Sequence, residues 1–329
     1  MASTPHHRSC NAPLAALVAI VPFLAPKTSA EVLFRSGFEG VRIEPYGRHD
    51  QHGRIRGVDT ETGDDWDRFR GEFDDLYLFH LVGANASNDY ARTDLPVDPA
   101  SGDQSLRMTV LEDLPGDGFT TRSELSIFPR DEPDAVFRDD GYVKYRMKLG
   151  PELAEAWPAR WINFFEVKED LVEERGQRRE NFRFNFNVLR GHDGEPYWNL
   201  TTEDTSLRES EIEANLDNHE VAVLVDEWME IEAYWKQHES EGELFLGVNG
   251  QTVFDFKGRT QHATDPQSVR FWSPLKNYRA AGWLEGEREV SVLYDDIEFR
   301  RTRPVPEPGS AALLACGVGL LTRRTRESM

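Results

Sequence analysis

Between residues 31 and 303 apolar and polar positions alternate in short runs bounded by Gly, Pro, Asn or Asp, the mark of strands with one buried face. The runs are EVLFRSGFE (31–39), SLRMTVLE (105–112), TRSELSIF (121–128), GYVKYRMKL (141–149), RWINFFEVK (160–168), NFRFNFNVL (181–189), EPYWNLTT (195–202), WMEIEAYWKQH (228–238), GELFLGVNGQTVFDFKG (242–258), SVRFWSPLKNYRA (268–280) and REVSVLYDDIEFR (288–300). Asn249-Gly250 predicts a type I′ hairpin turn, which needs two residues at positive φ. Helical spacing is weak and confined to 63–81 and 170–180. With no internal repeat or interior linker, the pattern predicts one all-β domain over 31–303. Two stacked antiparallel sheets are expected, a β-jelly roll or concanavalin A-like sandwich.

The polar faces of these strands carry the chemical information. In TRSELSIF, alternation sets Arg122, Glu124 and Ser126 opposite Ser123, Leu125 and Ile127. In NFRFNFNVL, phenylalanines line one face and Arg183, Asn185 and Asn187 the other. A solvated face explains such residues; so does a floor of fixed hydrogen-bond donors under a ligand. RWINFFEVK is nearly continuously apolar, which predicts that both faces are covered and that Asn163 or Glu166 is buried with partners. In SVRFWSPLKNYRA, strict alternation puts Trp272, Pro274, Lys276 and Tyr278 in one phase, a combination suited to sugar or to a satisfied edge strand.

The two ends read differently. Arg8 precedes the apolar run LAALVAIVPFLA (14–25) and the small residues of PKTSA, which predicts a secretory signal over 1–30. At the other end VPEPG (305–309) leads into SAALLACGVGLL (310–321) and TRRTR (322–326). This order resembles the PEP-CTERM sorting signal of bacterial envelope proteins. It implies a tail over 304–329, a processing protease as partner, and delivery to the cell envelope or beyond. Both cysteines, Cys10 and Cys316, fall in these ends, which leaves the domain without disulfides, thiolate metal sites or cysteine nucleophiles. Across the chain, 38 Lys and Arg stand against 59 Asp and Glu. That excess argues against nucleic acid, which wants a basic face. It weighs against polyanions too, but only over distances beyond about 8 Å, where salt screens it. The domain is expected to be a monomer.

RSEL (122–125) resembles the Arg-Ser/Thr-Glu-Leu strand of jelly-roll polysaccharide lyases that cleave alginate, glucuronan or related uronic-acid polymers. LKNYRA (275–280) resembles their late strand, in which a lysine precedes a catalytic tyrosine and a further polar residue. The Trp-led strand and hairpin over 228–256 and YDDIEFR resemble further strands of that family. Two departures stand out: WINFFEVK has no histidine where the family carries one, and Lys276 and Tyr278 lack the intervening glycine and follow Pro274. The resemblance implies β-elimination on an acidic polysaccharide. Arg122, with Asn185 or Asn163, would neutralise the uronate carboxylate. Tyr278 would act as base, acid or both, with Lys276 or Arg122 favouring its phenolate. Glu124 would orient Arg122, the loop residue His192 is a spare base, and Arg183, Asn187, Trp272 and Arg279 complete the expected sugar contacts.

Two other functions fit the same residues. A laminarinase-like hydrolase needs two spaced carboxylates, and Glu166 and Glu169 fall on opposite faces of a regular strand. A carbohydrate-binding envelope module needs the groove but no base. No cofactor is required. GFEG (37–40) and YDDIEF (294–299) resemble paired end strands that hold a structural Ca²⁺, with Glu39 and Asp296 as ligands; ordinary surface acids explain them as well.

Overall fold

The computed structural model describes residues 30–45, 52–73, 75–82, 91–110, 121–129, 135–155, 161–169, 171–174, 177–180, 182–204, 211–262, 269–279 and 289–304. The expected signal, the tail beyond 304 and the side chain of Arg279 lie outside the described set. Strand pairing is antiparallel throughout, in two large sheets and one small hairpin. The back sheet runs, in spatial order, β17 (Gln251–Gly258), β16 (Gly242–Val248), β15 (Trp228–Lys236), β8 (Asp140–Leu149), β19 (Val290–Arg300), β6 (Leu106–Val110) and β5 (Ala91–Asp94). β1 (Val32–Ser36) pairs with the far end of β19. The front sheet runs β14 (Glu211–Asn218), β13 (Pro196–Asp204), β12 (Phe182–Arg190), β9 (Trp161–Glu169), β18 (Val269–Arg279), β7 (Thr121–Phe128), β4 (Asp75–Val82), β3 (His52–Arg56) and β2 (Arg42–Pro45). β10 (Leu171–Glu174) and β11 (Gln177–Glu180) form a separate hairpin, and the described residues include two short helices, α1 (Trp66–Phe73) and α2 (Glu152–Glu155).

The all-β sandwich is the expected one, and its core is aromatic. Phe186 of the front sheet stacks on Phe254 of the back sheet with ring centres 6.3 Å apart. Trp272 meets Phe137, Trp235 and Phe299 at 4.9, 5.8 and 5.6 Å. Asn249 and Gly250 have φ of 51° and 74°, the left-handed pair that a two-residue turn between β16 and β17 demands.

Two helical expectations are corrected. Only the first part of 63–81 is helical; Asp75–Val82 is β4, paired along its whole length with β7. Its own sequence, DLYLFHLV, is a nearly continuous apolar run, and the ladder offered by a central strand overrides weak helical spacing. The 170–180 stretch is the β10–β11 hairpin: it has too few apolar residues to form a helical stripe. Strands β2, β3, β5 and β14 were not expected, and β5, β2 and β14 are outer strands of their sheets.

Candidate active site

The phenylalanine face of β12 packs inward, and Arg183, Asn185 and Asn187 line an open cavity of about 320 Å³ on the outer face of the front sheet. β13 adds Asn199, Thr201 and Glu203; β14 adds Ile212 and Asn215; Trp161, Asn163 and Glu166 come from β9 and Tyr278 from β18. That Asn163 and Glu166 share a face contradicts strict alternation. Opposite β12, Phe165 faces Phe186 and Asn163 faces Asn187, which leaves Phe164 as an extra residue in a β-bulge. The bulge turns both Phe164 and Phe165 into the core, against Trp198 at 5.7 Å and Trp272 at 6.0 Å. It also returns Glu166 to the cavity.

β18 is bulged as well. Trp272 faces Ile127 and Leu275 faces Leu125, three steps on one strand against two on β7. Pro274 lies inside this interval; lacking an N–H, it cannot continue the ladder. The change of phase corrects one expectation: Trp272 is 0% exposed and belongs to the core, while Tyr278 faces the cavity. Trp272→Phe is therefore expected to cost about 1–3 kcal/mol of stability through the void it leaves, with polymer binding intact once folded. Urea unfolding beside affinity electrophoresis checks this. The bulged strand is fixed from behind. The Tyr294 hydroxyl on β19 accepts from the Lys276 N–H at 3.1 Å and donates to the Lys276 carbonyl. Burial pushes the Tyr294 phenol far up, so it stays a neutral donor. Tyr294→Phe strands two backbone groups and should lower stability by about 1–3 kcal/mol, read as a shift in urea midpoint.

Beneath Tyr278 lies a buried ionic cluster. Lys276 is 0% exposed and its ammonium contacts Glu166 and, at 3.2 Å, Glu124. Glu124 also meets Arg122 at 3.2 Å and accepts from Ser273 at 3.3 Å. Lys168 stands 3.6 Å and Arg183 4.0 Å from Glu166, and Arg183 donates twice to Glu203 at 3.0 and 2.6 Å. Burial alone would raise the Glu166 carboxyl, but Lys168, Lys276 and Arg183 together hold it well below the usual carboxylate range. The Tyr278 ring lies 4.7 Å from the Lys276 ammonium, 5.8 Å from the Arg122 guanidinium and 5.0 Å from the Trp161 ring.

The expected residues thus divide. Tyr278, Arg183, Asn163, Asn185 and Asn187 meet at the cavity, and Arg122 flanks Tyr278 one strand away. Lys276 and Glu124 are both buried, so neither touches a ligand directly: Lys276 lies under the Tyr278 ring and Glu124 lies against Arg122. His192 is exposed in the turn joining β12 to β13 and is not among the cavity-lining residues. Asn163 is corrected from donor to acceptor: its Nδ2 donates to the Phe165 carbonyl at 3.2 Å and to Asn187 Oδ1 at 2.9 Å. Glu39 accepts from the backbone N–H groups of Asp103 and Gln104 at 2.6 and 2.9 Å, and Asp296 accepts from Ser101 Oγ at 2.7 Å and pairs with Arg146 at 3.1 Å. Both carboxylates thus have donors within the protein. Among the described residues, no group of three or more His, Cys, Asp or Glu could hold a metal. Sequence reasoning missed Asn199, Thr201, Glu203 and Asn215, although Ile212, Ala214 and Leu216 alternate visibly along β14.

No protein-family model matches the sequence, and no curated protein does. Solved structures do resemble it. One, of the alginate lyase Aly36B carrying two substitutions and bound to an alginate tetrasaccharide, aligns at 11% identity with a TM-score of 0.50, covering 82% of this chain and 97% of that one. Another, the alginate lyase vAL-1 from Chlorella virus, aligns at 12% identity and a TM-score of 0.43, over 65% of this chain and 92% of that one. At these identities the likeness is one of architecture, and it places the chain in the all-β sandwich shared by jelly-roll alginate lyases.

Proposed function

We propose that this protein is an exported polysaccharide lyase that cleaves a uronic-acid-containing polysaccharide by β-elimination. The observation that carries the reading is the placement of Tyr278 in an amide-lined cavity, between Asn163 on one neighbouring strand and Arg122 on the other. In the reaction the Tyr278 oxygen takes the proton from C5 of the uronate. The C5–H electrons form the C4=C5 double bond as the C4–O4 bond breaks, and the same phenol returns the proton to the departing O4. Arg122, Arg183 and Asn185 supply the positive charge and N–H donors that the sugar carboxylate needs as negative charge spreads onto it. Trp161 and Leu189 form the apolar wall of the cavity. Export through the N-terminal signal, and processing of the C-terminal tail at the envelope, are part of the same proposal.

Glu166 is unsuited to be the general acid of a glycoside hydrolase. A general acid needs a raised pKa, whereas Glu166 is held far below the ordinary range. A purely binding role remains the second reading, favoured by the dense hydrogen bonding of the cavity floor. Incubation with uronate polymers separates the three. The expected result is ultraviolet absorbance from the new conjugated double bond. New reducing ends without absorbance indicate hydrolysis, and retention of polymer without either indicates a binding module.

A further inference from the structure

Four asparagines cross the floor of the cavity in one directed chain. Asn163 Nδ2 donates to Asn187 Oδ1 at 2.9 Å, Asn187 Nδ2 to Asn199 Oδ1 at 3.0 Å, and Asn199 Nδ2 to Asn215 Oδ1 at 2.6 Å. Amide orientation is often ambiguous, but here both ends fix it. At the β9 end Nδ2 of Asn163 also donates to the Phe165 carbonyl, and at the β14 end Nδ2 of Asn199 donates to the Asp217 carboxylate at 2.8 Å, groups that can only accept. Every side-chain carbonyl in the series therefore points back toward β18. The series ends on Asn163 Oδ1, which is buried, has no hydrogen-bond partner among the described residues and belongs to the strand paired with β18 beside Tyr278. Asn163 is 3% exposed but lines the cavity, so the donor its carbonyl lacks comes from what fills that cavity, a bound ligand or an ordered water.

The charge of this part of the cavity points the same way. Among the described lining residues Arg183 is the one cation, and it donates twice to Glu203 and stands 4.0 Å from Glu166. Five lining residues are asparagines, Glu166 and Glu203 are acidic, and Asp217 terminates the amide series. Past Arg183 and Asn185, a sugar carboxylate laid over Asn187, Asn199 and Asn215 would face carbonyl acceptors and the like charge of Asp217, whereas sugar hydroxyls or an acetamido N–H would supply donors that these carbonyls accept.

Building on the lyase reading, we propose that the cavity from Asn163 to Asn215 is a subsite for an uncharged sugar, so that the substrate is a heteropolysaccharide in which a uronate alternates with a neutral or N-acetylated sugar. The carboxylate-bearing ring lies by Tyr278 and Arg122, and its uncharged neighbour lies over the amides.

The test measures binding and cleavage separately, on the full domain. Affinity electrophoresis is run in gels containing polyglucuronate, polymannuronate or hyaluronan, the last an unsulfated polymer of glucuronate alternating with N-acetylglucosamine. Retardation by hyaluronan is expected at concentrations about tenfold lower than by either homopolymer. Asn215→Lys, an exposed change on an edge strand, is expected to narrow that ratio several-fold by adding a cation at the end of the amide series. Homopolymers retarding the native protein as strongly as hyaluronan would overturn the subsite, and so would a ratio unmoved by Asn215→Lys. Ultraviolet absorbance on the same polymers reports the lyase reading alone. If hyaluronan is retained without elimination, the subsite stands and the lyase reading falls.

Discussion

Tyr278→Phe is expected to slow elimination by roughly 10²–10⁴-fold, the span associated with removing a positioned proton-transfer group. The substitution keeps the ring that meets Trp161 and lies beside the Lys276 ammonium, and deletes only the oxygen. Affinity for the polymer should therefore stay nearly unchanged and the loss should fall on kcat. Absorbance kinetics together with affinity electrophoresis measure the two effects. Turnover that survives in the phenylalanine variant would remove Tyr278 from the reaction and leave the cavity as a binding surface.

The second large effect is on stability. Lys276→Met keeps the volume of the side chain but strips Glu124 and Glu166 of the cation between them, in a setting where water cannot compensate. Removing one partner from a buried ionic cluster costs about 3–5 kcal/mol, a large fraction of the stability of an ordinary domain. Urea unfolding should show the midpoint falling with little change in slope. Neutralising Glu124 and Glu166 in the same protein, as glutamines, should restore much of the loss, because the penalty belongs to stranded charge more than to a missing attraction.

The same cluster sets a pH dependence. The folded Glu166 carboxyl titrates far below its unfolded value, so from neutrality down to about pH 4–5 both states are ionised and its contribution is intact. As pH falls further the unfolded chain takes up a proton that the folded protein refuses, and stability declines toward the folded value. Thermal melting in acid should drop less steeply in Glu166→Gln than in the native chain, once their neutral-pH difference is subtracted.

How much of this was legible in the residues depends on where the strands are regular. β12 keeps its phase, and its alternation sets the phenylalanines inward and Arg183, Asn185 and Asn187 on the face that lines the cavity. β9 and β18 do not keep phase. A one-residue slip moves every later side chain to the other face, and nothing in WINFFEVK marks Phe164 as the supernumerary residue. Pro274 did mark trouble in β18, but as a break in a ladder it says nothing about which neighbours turn inward. The burial of Lys276 was invisible for another reason. A lysine beside a tyrosine suggests chemistry, and only the distant Glu124 and Glu166, brought together by β7 and β9, make it a strut.

One consequence follows from how β1 closes the back sheet. Val32 pairs with Arg300, and the Arg300 guanidinium donates to the carbonyl of Ala30, so the domain's first and last strands finish side by side on the layer that does not carry the cavity. Anything attached before Ala30 or after Pro304 holds the molecule by its reverse side. A domain held at either end would present the cavity on the opposite side.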